Sequence, residues 1–577
     1  MGSLVSVGFH GRTVKGWILG RALDPPAGRI LPIRALRSPV RFFDARQLAL
    51  LRWVSERYLA PLATVIERSH PPRVADVERG AEGVVEAGGP VRSRLDRPGR
   101  PPDIAVLERY GGAGDLLRPG VPVWLRPLPA DETPVALAGV EACVAGGRRA
   151  LVLVPEAEPL PAVAAAILGA FGADAVSFAG GDARTRYATW LAIRSGRYRI
   201  VVGTRPAVFA PLADLGLIWI SREVHPGHRE DRAPYYHVRD VATARARLAE
   251  AACVLCSLSP SIETAAGVAQ GILRTARVPR SLERDHAPMV ETTPPEGEDR
   301  SVRLATLLKR VRSAALIVSR RGYGVARVCR ACGEPAACAV CRGMIVVEGG
   351  RATCRVCRTP GRCAACGNGS FGVERGGVER IAQWARSIAG VPVLRDAAGA
   401  GPGERSAPGI LVGTAASVKD VGRRQMDLVG ILDPDRALSR PGIHAAEQSL
   451  ATWMEAAVWA GSRGGSGRVL VQTRHPSHSA VQALVRWEPV PFLKREGERR
   501  AEAGFAPGWA VFRMIGGTGI EGALAAAGAA PALTTVAGGR TICLVTVRPE
   551  DLPALRVEVL RLATAGSILR VEAEPQL

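Results

Sequence analysis

The sequence predicts an α/β protein built on two parallel-sheet lobes, with a cysteine-rich ribbon near the start of the second. Three observations carry that expectation. Between Arg148 and Ala265 short apolar runs alternate with helical stretches, in the order ALVLVPE, AVAAAILGAF, RIVVGT, LGLIWI, VRDVATARARLAEA, CVLCSLS. This is the pattern of strands buried on both faces beneath covering helices. A second series follows, with GVERIAQWARSIA and HAAEQSLATWMEAAVWAG as helices and GILVGT, LVGILD and RVLVQT as strands. Between the two series, eight of the twelve cysteines fall between Cys329 and Cys366.

Taken in chain order, residues 1–74 mix strand-like VSVGF and GWILG with the helical ARQLALLRWVSERYL and make a first, β-rich domain. From 75 to 130 Pro, Gly and Arg dominate, which reads as linker or as an eroded small domain. The first lobe takes 131–288; the second opens at 289–323, is interrupted by the cysteine module at 324–370 and resumes at 371–488. The tail, 489–577, begins with the charged helix LKREGERRAEAG and ends in short strands, a small α+β domain. A chain of 577 residues has room for about three to five such domains.

The 76 basic residues exceed the 54 acidic ones by 22, a balance that favours phosphate-rich partners. Only Lys15, Lys309, Lys419 and Lys494 are lysine, so part of the arginine excess reflects base composition. No basic-then-apolar leader pattern opens the chain, and the uncharged stretch 522–539 is too weakly apolar to span a bilayer. The opening MGSLVS fits an acylation pattern but runs straight into strand-like sequence. A cytoplasmic protein without membrane attachment is expected.

The cysteines form four CxxC pairs: Cys329/Cys332, Cys338/Cys341, Cys354/Cys357 and Cys363/Cys366. Two residues between thiolates let one tight turn place both sulfurs on a tetrahedral zinc, so eight ligands imply two ions. The gaps between pairs are five, twelve and five residues, and the central one, RGMIVVEGGRAT, reads as a β-hairpin. A hairpin brings Cys338/Cys341 against Cys354/Cys357 and leaves Cys329/Cys332 to meet Cys363/Cys366. Sequential pairing is also compatible with five-residue loops. Both sites would be closed by four sulfurs, a structural rather than catalytic arrangement. Nine arginines and two glutamates lie between Arg320 and Cys366, fit for a docking surface. Cys253 and Cys256 lie in the apolar AACVLCSL and, with Cys143 and Cys543, read as buried thiols.

Several phrases together resemble the bacterial primosomal replication-restart (PriA) family of superfamily 2 DNA helicases: WVSERYLAPL, LVLVPE, IVVGTRPAVFAPLADLGLI, YYHVRDVA, SRRGYG before the cysteines, ILVGT, GILDPDRALSRPG and ERRAEAGFAP. The resemblance covers nearly the whole chain. It implies a domain that captures the 3′ end of a nascent strand, a winged helix, two RecA-like helicase lobes, a zinc region and a C-terminal fork-binding domain. It implies that Cys329, Cys332, Cys363 and Cys366 hold one zinc, and Cys338, Cys341, Cys354 and Cys357 the other. DNA contacts are expected at Arg29, Arg320 and Arg321. The implied partners are forked, single-stranded and duplex DNA, the replicative helicase, and primosome or single-strand-binding proteins, with the chain itself a monomer.

The motor parts of that family are not matched. A phosphate loop needs a GK[ST] turn, yet the four lysines are followed by Gly16, Arg310, Asp420 and Arg495. Upstream of Ala150, where the loop belongs, stands VALAGVEACVAGG. In register with the family's acidic DEEH box stand Ser221, Arg222, Glu223 and Val224, and a cation there repels Mg²⁺. In register with QVAGRAGR the chain reads EAAVWAGS, so the two arginine positions are Trp459 and Ser462. ATP and Mg²⁺ are thereby put in doubt as cofactors, and no catalytic residue is assigned. The resemblance enters at VSVGF; the FDY-containing segment that precedes it in the family, part of the 3′-end pocket, has no counterpart unless the reading frame starts upstream. The expected function is a restart protein that binds stalled or branched forks and helps load the replicative helicase without unwinding DNA itself. The alternatives are an ATP-dependent 3′→5′ helicase with a non-standard nucleotide site, and a zinc-ribbon adaptor that binds proteins.

Overall fold

The computed structural model of the chain describes residues 1–9, 11–22, 30–80, 105–296, 300–319, 325–332, 334, 336–340, 345–348, 351–354, 357–375, 377–396, 408–419, 426–440 and 442–575. These fall into two compact units, Met1–Pro279 together with Leu493–Gln576, and Arg280–Phe492.

In the first unit, β1 (Ser3–Phe9), β2 (Arg12–Trp17) and β3 (Ile33–Arg41) form an antiparallel sheet with β1 in the centre. The helix Ala45–Arg57 follows, opened by a capping box in which the Asp44 carboxylate accepts the Gln47 amide at 2.8 Å. Leu48, Leu51 and Val54, spaced by three, make its buried face, which joins the core of the adjoining lobe against the helix Val238–Ala249.

That lobe is a seven-stranded, wholly parallel sheet of β4 (Val123–Arg126), β5 (Arg149–Leu153), β6 (Ala175–Phe178), β7 (Ile200–Gly203), β8 (Leu215–Ile220), β9 (Ala252–Cys256) and β10 (Arg274–Arg277). Its order is β10-β4-β9-β8-β5-β7-β6. Ala150 to Leu153 and Leu217 to Ile220 are completely buried, which is why these segments are continuous apolar runs rather than alternating ones. β4 corrects the sequence boundary. It lies within 75–130, read as linker or eroded domain, yet pairs on both sides, with β10 at the sheet edge and with β9. Four residues, VWLR, between Pro122 and Pro127 are too short to announce a strand against a Pro- and Arg-rich background.

The second unit holds β11 (Met289–Thr293), β12 (Ser313–Val318), β13 (Val325–Cys329), β14 (Ile345–Glu348), β15 (Arg351–Cys354), β16 (Phe371–Arg375), β17 (Val393–Arg395), β18 (Gly409–Thr414), β19 (Leu428–Leu432) and β20 (Arg468–Gln472). Six of them make a parallel sheet of order β11-β20-β19-β12-β18-β17. β13 pairs with β16 and β14 with β15, both antiparallel, to frame the cysteines.

The tail returns to the first unit as an antiparallel sheet of β21 (Ala510–Gly516), β22 (Leu533–Ala537), β23 (Arg540–Val547) and β24 (Ile568–Ala573), in the order β22-β23-β21-β24. Arg229 Nη2 donates to Ala573 O at 3.0 Å, Arg570 Nε to the Tyr235 hydroxyl at 2.9 Å, and Arg57 pairs with Glu574 at 2.9 Å. These contacts tie the tail to the first lobe and to the N-terminal domain. Among the described residues no helix is long and apolar enough to cross a membrane.

Candidate metal centre and candidate nucleotide site

The cysteine module is built from two kinds of turn. After each of the last two CxxC pairs the chain enters the left-handed region, at Arg358 (φ +58°) and Gly367 (φ +73°). There the Arg358 amide donates to Cys354 O at 3.0 Å and the Gly367 amide to Cys363 O at 2.8 Å. The β14–β15 hairpin, with Ile345 opposite Cys354 and Glu348 opposite Arg351, folds Cys354 back toward Cys338. The outcome is two groups of sulfurs: Cys329, Cys332, Cys363 and Cys366, and Cys338, Cys354 and Cys357, each with its atoms within 4.8 Å of one another. Cys341 lies outside the described residues.

The spacing within the groups tests what they can hold. Cys329 and Cys366 sulfurs stand 3.4 Å apart, and Cys332–Cys363 and Cys338–Cys357 each 3.7 Å. A tetrahedron of zinc–sulfur bonds of about 2.3 Å has edges of roughly 3.8 Å, so both donor sets fit a metal ion of that kind. Burial pushes the Cys329 thiol up, but the amides of Cys332 and Ala331 and the neighbouring thiols bring it down to about 7, toward the thiolate that binds metal. Cys338 and Cys363 also form an antiparallel bridge, which joins the two groups back to back.

The first lobe presents its candidate nucleotide site where open parallel sheets hold ligands, at the carboxyl ends of the strands. The strand-to-helix turn that would carry a phosphate loop is 127–131, between β4 and the helix Glu132–Ala145. The stretch VALAGVEACVAGG, expected to occupy that place, belongs mainly to the helix itself. Pro127 and Pro129 have no amide hydrogen; the Leu128 amide donates to the Tyr110 hydroxyl at 2.8 Å, and the Asp131 amide closes onto Leu128 O at 2.9 Å. Asp131 accepts from that same hydroxyl at 2.9 Å, and Glu132, at the helix start, accepts the Ser221 hydroxyl at 2.5 Å. A turn short of free amides and bearing two carboxylates does not fit a polyphosphate.

The end of β8 completes the picture. The Ser221 amide donates to Leu153 O and the Glu223 amide to Cys256 O, so within two residues the chain passes from β5 to β9. Arg222 makes that step in the left-handed region (φ +52°), and its guanidinium pairs with Glu156 at 3.2 Å. Glu223 is wholly buried; its Oε1 accepts the Ser261 amide at 2.6 Å while Oε2 makes no hydrogen bond and stands 4.0 Å from Arg239. Burial pushes its carboxyl up to about 7, against the pull of Arg239. A raised acid pKa favours the folded state below the unfolded value and is lost as pH rises through the folded one. Stability is therefore expected to fall between about pH 4.5 and pH 7 by about 3 kcal/mol from this group, and Glu223→Gln to remove that slope. Thermal melts of both proteins at pH 5 and pH 8 check it: the variant gains at pH 8 and matches at pH 5, and equal effects at both values refute it.

Arg239 is the residue that sequence reasoning missed. It sits within YYHVRDVA, is 8 % exposed, and reaches Asp240 at 2.9 Å, Glu263 at 3.3 Å and the Ser261 hydroxyl at 2.9 Å. Nothing in the local pattern marks it, because apart from the adjacent Asp240 its partners come from the end of β8, at Glu223, and from the helix that opens at Ser261. The second-lobe positions behave differently. Trp459 is buried, its carbonyl accepting the Met426 amide at 2.7 Å, and Ser462 is exposed in a turn. Arg29, Arg320 and Arg321 lie outside the described residues. His225 and His228 do not converge: His225 Nδ1 accepts the Gly227 amide, and the buried His228 ring bonds Ser221 O at 2.8 Å. Asp435 holds the Arg474 amide at 2.9 Å and the Thr473 hydroxyl, a structural use. Cys253 and Cys256 are buried in β9.

Residues 1–71 match the family described as the PriA 3'DNA-binding domain (3'BD). A probable replication restart protein PriA of Mycobacterium tuberculosis is 31 % identical over 568 residues, 92 % of this chain and 84 % of that one. The replication restart protein PriA of Treponema pallidum is 27 % identical over 89 % of this chain and 82 % of its own length, and that of Bacillus subtilis 27 % identical over 65 % and 50 %. Yeast Dbp5 bound to RNA and ADP BeF3 superposes with a TM-score of 0.38 at 11 % identity over 72 % of this chain and 91 % of that one, too remote to bear weight. With its N-terminal 3'BD, two parallel-sheet α/β lobes and paired cysteine clusters, the chain belongs to the PriA replication-restart family.

Proposed function

We propose that this chain is a replication-restart protein that binds stalled or branched DNA and assists helicase loading without hydrolysing ATP, its lobes serving as scaffold. The observation that carries the reading is the self-satisfied end of the first sheet: Glu132 on Ser221, Glu156 on Arg222, and a proline-bearing turn in place of a phosphate loop. In this reading Cys329, Cys332, Cys363 and Cys366 hold one zinc and Cys338, Cys341, Cys354 and Cys357 the other. The ions would supply folding energy to the module, with no chemical step. Arg29, Arg320 and Arg321 are proposed DNA contacts, the protein acts in the cytoplasm, and its partners are forked DNA and the proteins that load the replicative helicase.

Fluorescence anisotropy with a labelled fork should show binding whose logarithm falls linearly with the logarithm of salt, with a slope of about −0.7 to −0.9 per phosphate contact. Binding that does not respond to salt, or retention of protein partners with no DNA retention at all, favours the adaptor reading. A helicase reading keeps one observation on its side, the survival of the buried Glu223 at the end of β8, and ATP hydrolysis decides between the two.

A further inference from the structure

The second unit carries a cleft of about 360 Å³ that the reading above does not use, lined by Arg280, Arg284, Arg463, Val485, Arg486 and Trp487. Its construction starts from a helix end. The helix Ser479–Val485 stops where Trp487 turns into the left-handed region (φ +52°), and the bared carbonyls of Arg486 and Trp487 each accept from the Arg280 guanidinium at 2.7 Å. Arg280 also pairs with Glu283 and Glu488, both at 3.2 Å, so its charge is spent within the wall. The Arg463 amide fastens the opposite wall to Ala287 O at 2.7 Å.

The other three arginines are used differently. Arg284, Arg463 and Arg486 are exposed, and among the described residues their guanidinium groups make no hydrogen bond or ion pair. Three exposed arginines thus line one opening whose nearby carboxylates, Glu283 and Glu488, are already engaged by Arg280. Like charges gathered without partners raise one another's energy, and an anion relieves it. Guanidinium forks match the oxygens of a phosphate, and a volume of this size takes a phosphate group with a neighbouring sugar or base. We propose that this cleft binds a phosphate group, supplied either by a single-stranded nucleic-acid backbone or by free pyrophosphate-type anions. The proposal goes beyond the restart reading and does not depend on it, since the cleft lies in the second unit and uses none of the residues argued above.

The test is the full-length protein beside the variant R284Q/R463Q/R486Q. Among the described residues these side chains make no hydrogen bond or ion pair, so the variant should melt as the wild type does, and Arg280 is left in place because it holds the helix end. Two probes are titrated, a fluorescein-labelled fifteen-residue oligothymidylate by anisotropy and inorganic pyrophosphate by calorimetry. A nucleic-acid source predicts oligonucleotide binding weakened by roughly tenfold or more, with the salt slope reduced by about 2 for three lost contacts at about 0.7 each. A free-anion source predicts that pyrophosphate binding disappears while oligonucleotide binding keeps its affinity and slope. If the variant binds both probes as the wild type does, or the wild type binds neither, the proposal is wrong. Failure of the wild type to bind fork DNA would count against the restart reading alone, because the pyrophosphate titration still reports on the cleft.

Discussion

Stripping metal from the purified protein with a strong chelator is expected to release two zinc ions per chain and to unfold the cysteine module. The expected size follows from what holds the module together. Its strands are short, β14 and β15 having four residues each, and its small core is composed largely of the cysteines themselves, with Ile345, Phe371 and Ala336. A core of that size does not offset the entropy of ordering its loops, so metal binding supplies its stability, about 10–16 kcal/mol for a structural zinc. Elemental analysis also tests the nested pairing. Cys329→Ser/Cys363→Ser should lose one ion and keep the other, because both thiols belong to one group. Sequential pairing predicts loss of both ions from the same double variant.

Arg239→Met is expected to destabilise the first lobe by about 3–5 kcal/mol, the loss typical of breaking a buried charge pair from one side. Among the described residues Arg239 faces the buried Glu223, the partly buried Glu263 and Asp240 at once, and removing it takes from three acids the cation they share. Burial alone would raise the Asp240 carboxyl; Arg239, aided by His237 and Arg57, brings it down to about 2. A lowered acid pKa contributes stability in full above the unfolded value, near pH 4, and that contribution is lost as pH falls through about 2. The variant should therefore melt roughly 10 °C lower at pH 7 and come closer to wild type in strong acid. Adding Glu263→Gln should recover part of the loss, since it removes one stranded charge. A melt unchanged at pH 7 contradicts the reading of Arg239 as the hub.

How much of this was legible in the sequence depends on the range of the interaction. LGLIWI and GILVGT are β8 and β18 residue for residue, because a strand buried on both faces must be apolar throughout. The nested grouping of the cysteines was the favoured of two readings, since the twelve-residue gap reads as a hairpin, while the five-residue gaps left sequential pairing open. The strand order was not, because it is decided by helix packing across the sheet rather than by any local pattern. The same holds for β4, whose four residues gain their strand character only from β9 and β10 on either side. At the candidate nucleotide site the departures of Ser221 and Arg222 from the family's acidic pattern were visible, but their partners were not. Glu132 lies 89 positions from Ser221 and Glu156 lies 66 from Arg222, so their meeting is a product of the fold.

In the function we propose, the fold of the family persists here without its motor. The most direct measurement is ATP hydrolysis by the purified, zinc-replete protein with saturating fork DNA and Mg²⁺, set beside Glu223→Gln. The arrangement of Glu132, Glu156 and the proline-bearing turn predicts no DNA-stimulated hydrolysis in either protein, while the fork is still bound. DNA-stimulated hydrolysis in the wild type that Glu223→Gln abolishes would contradict it.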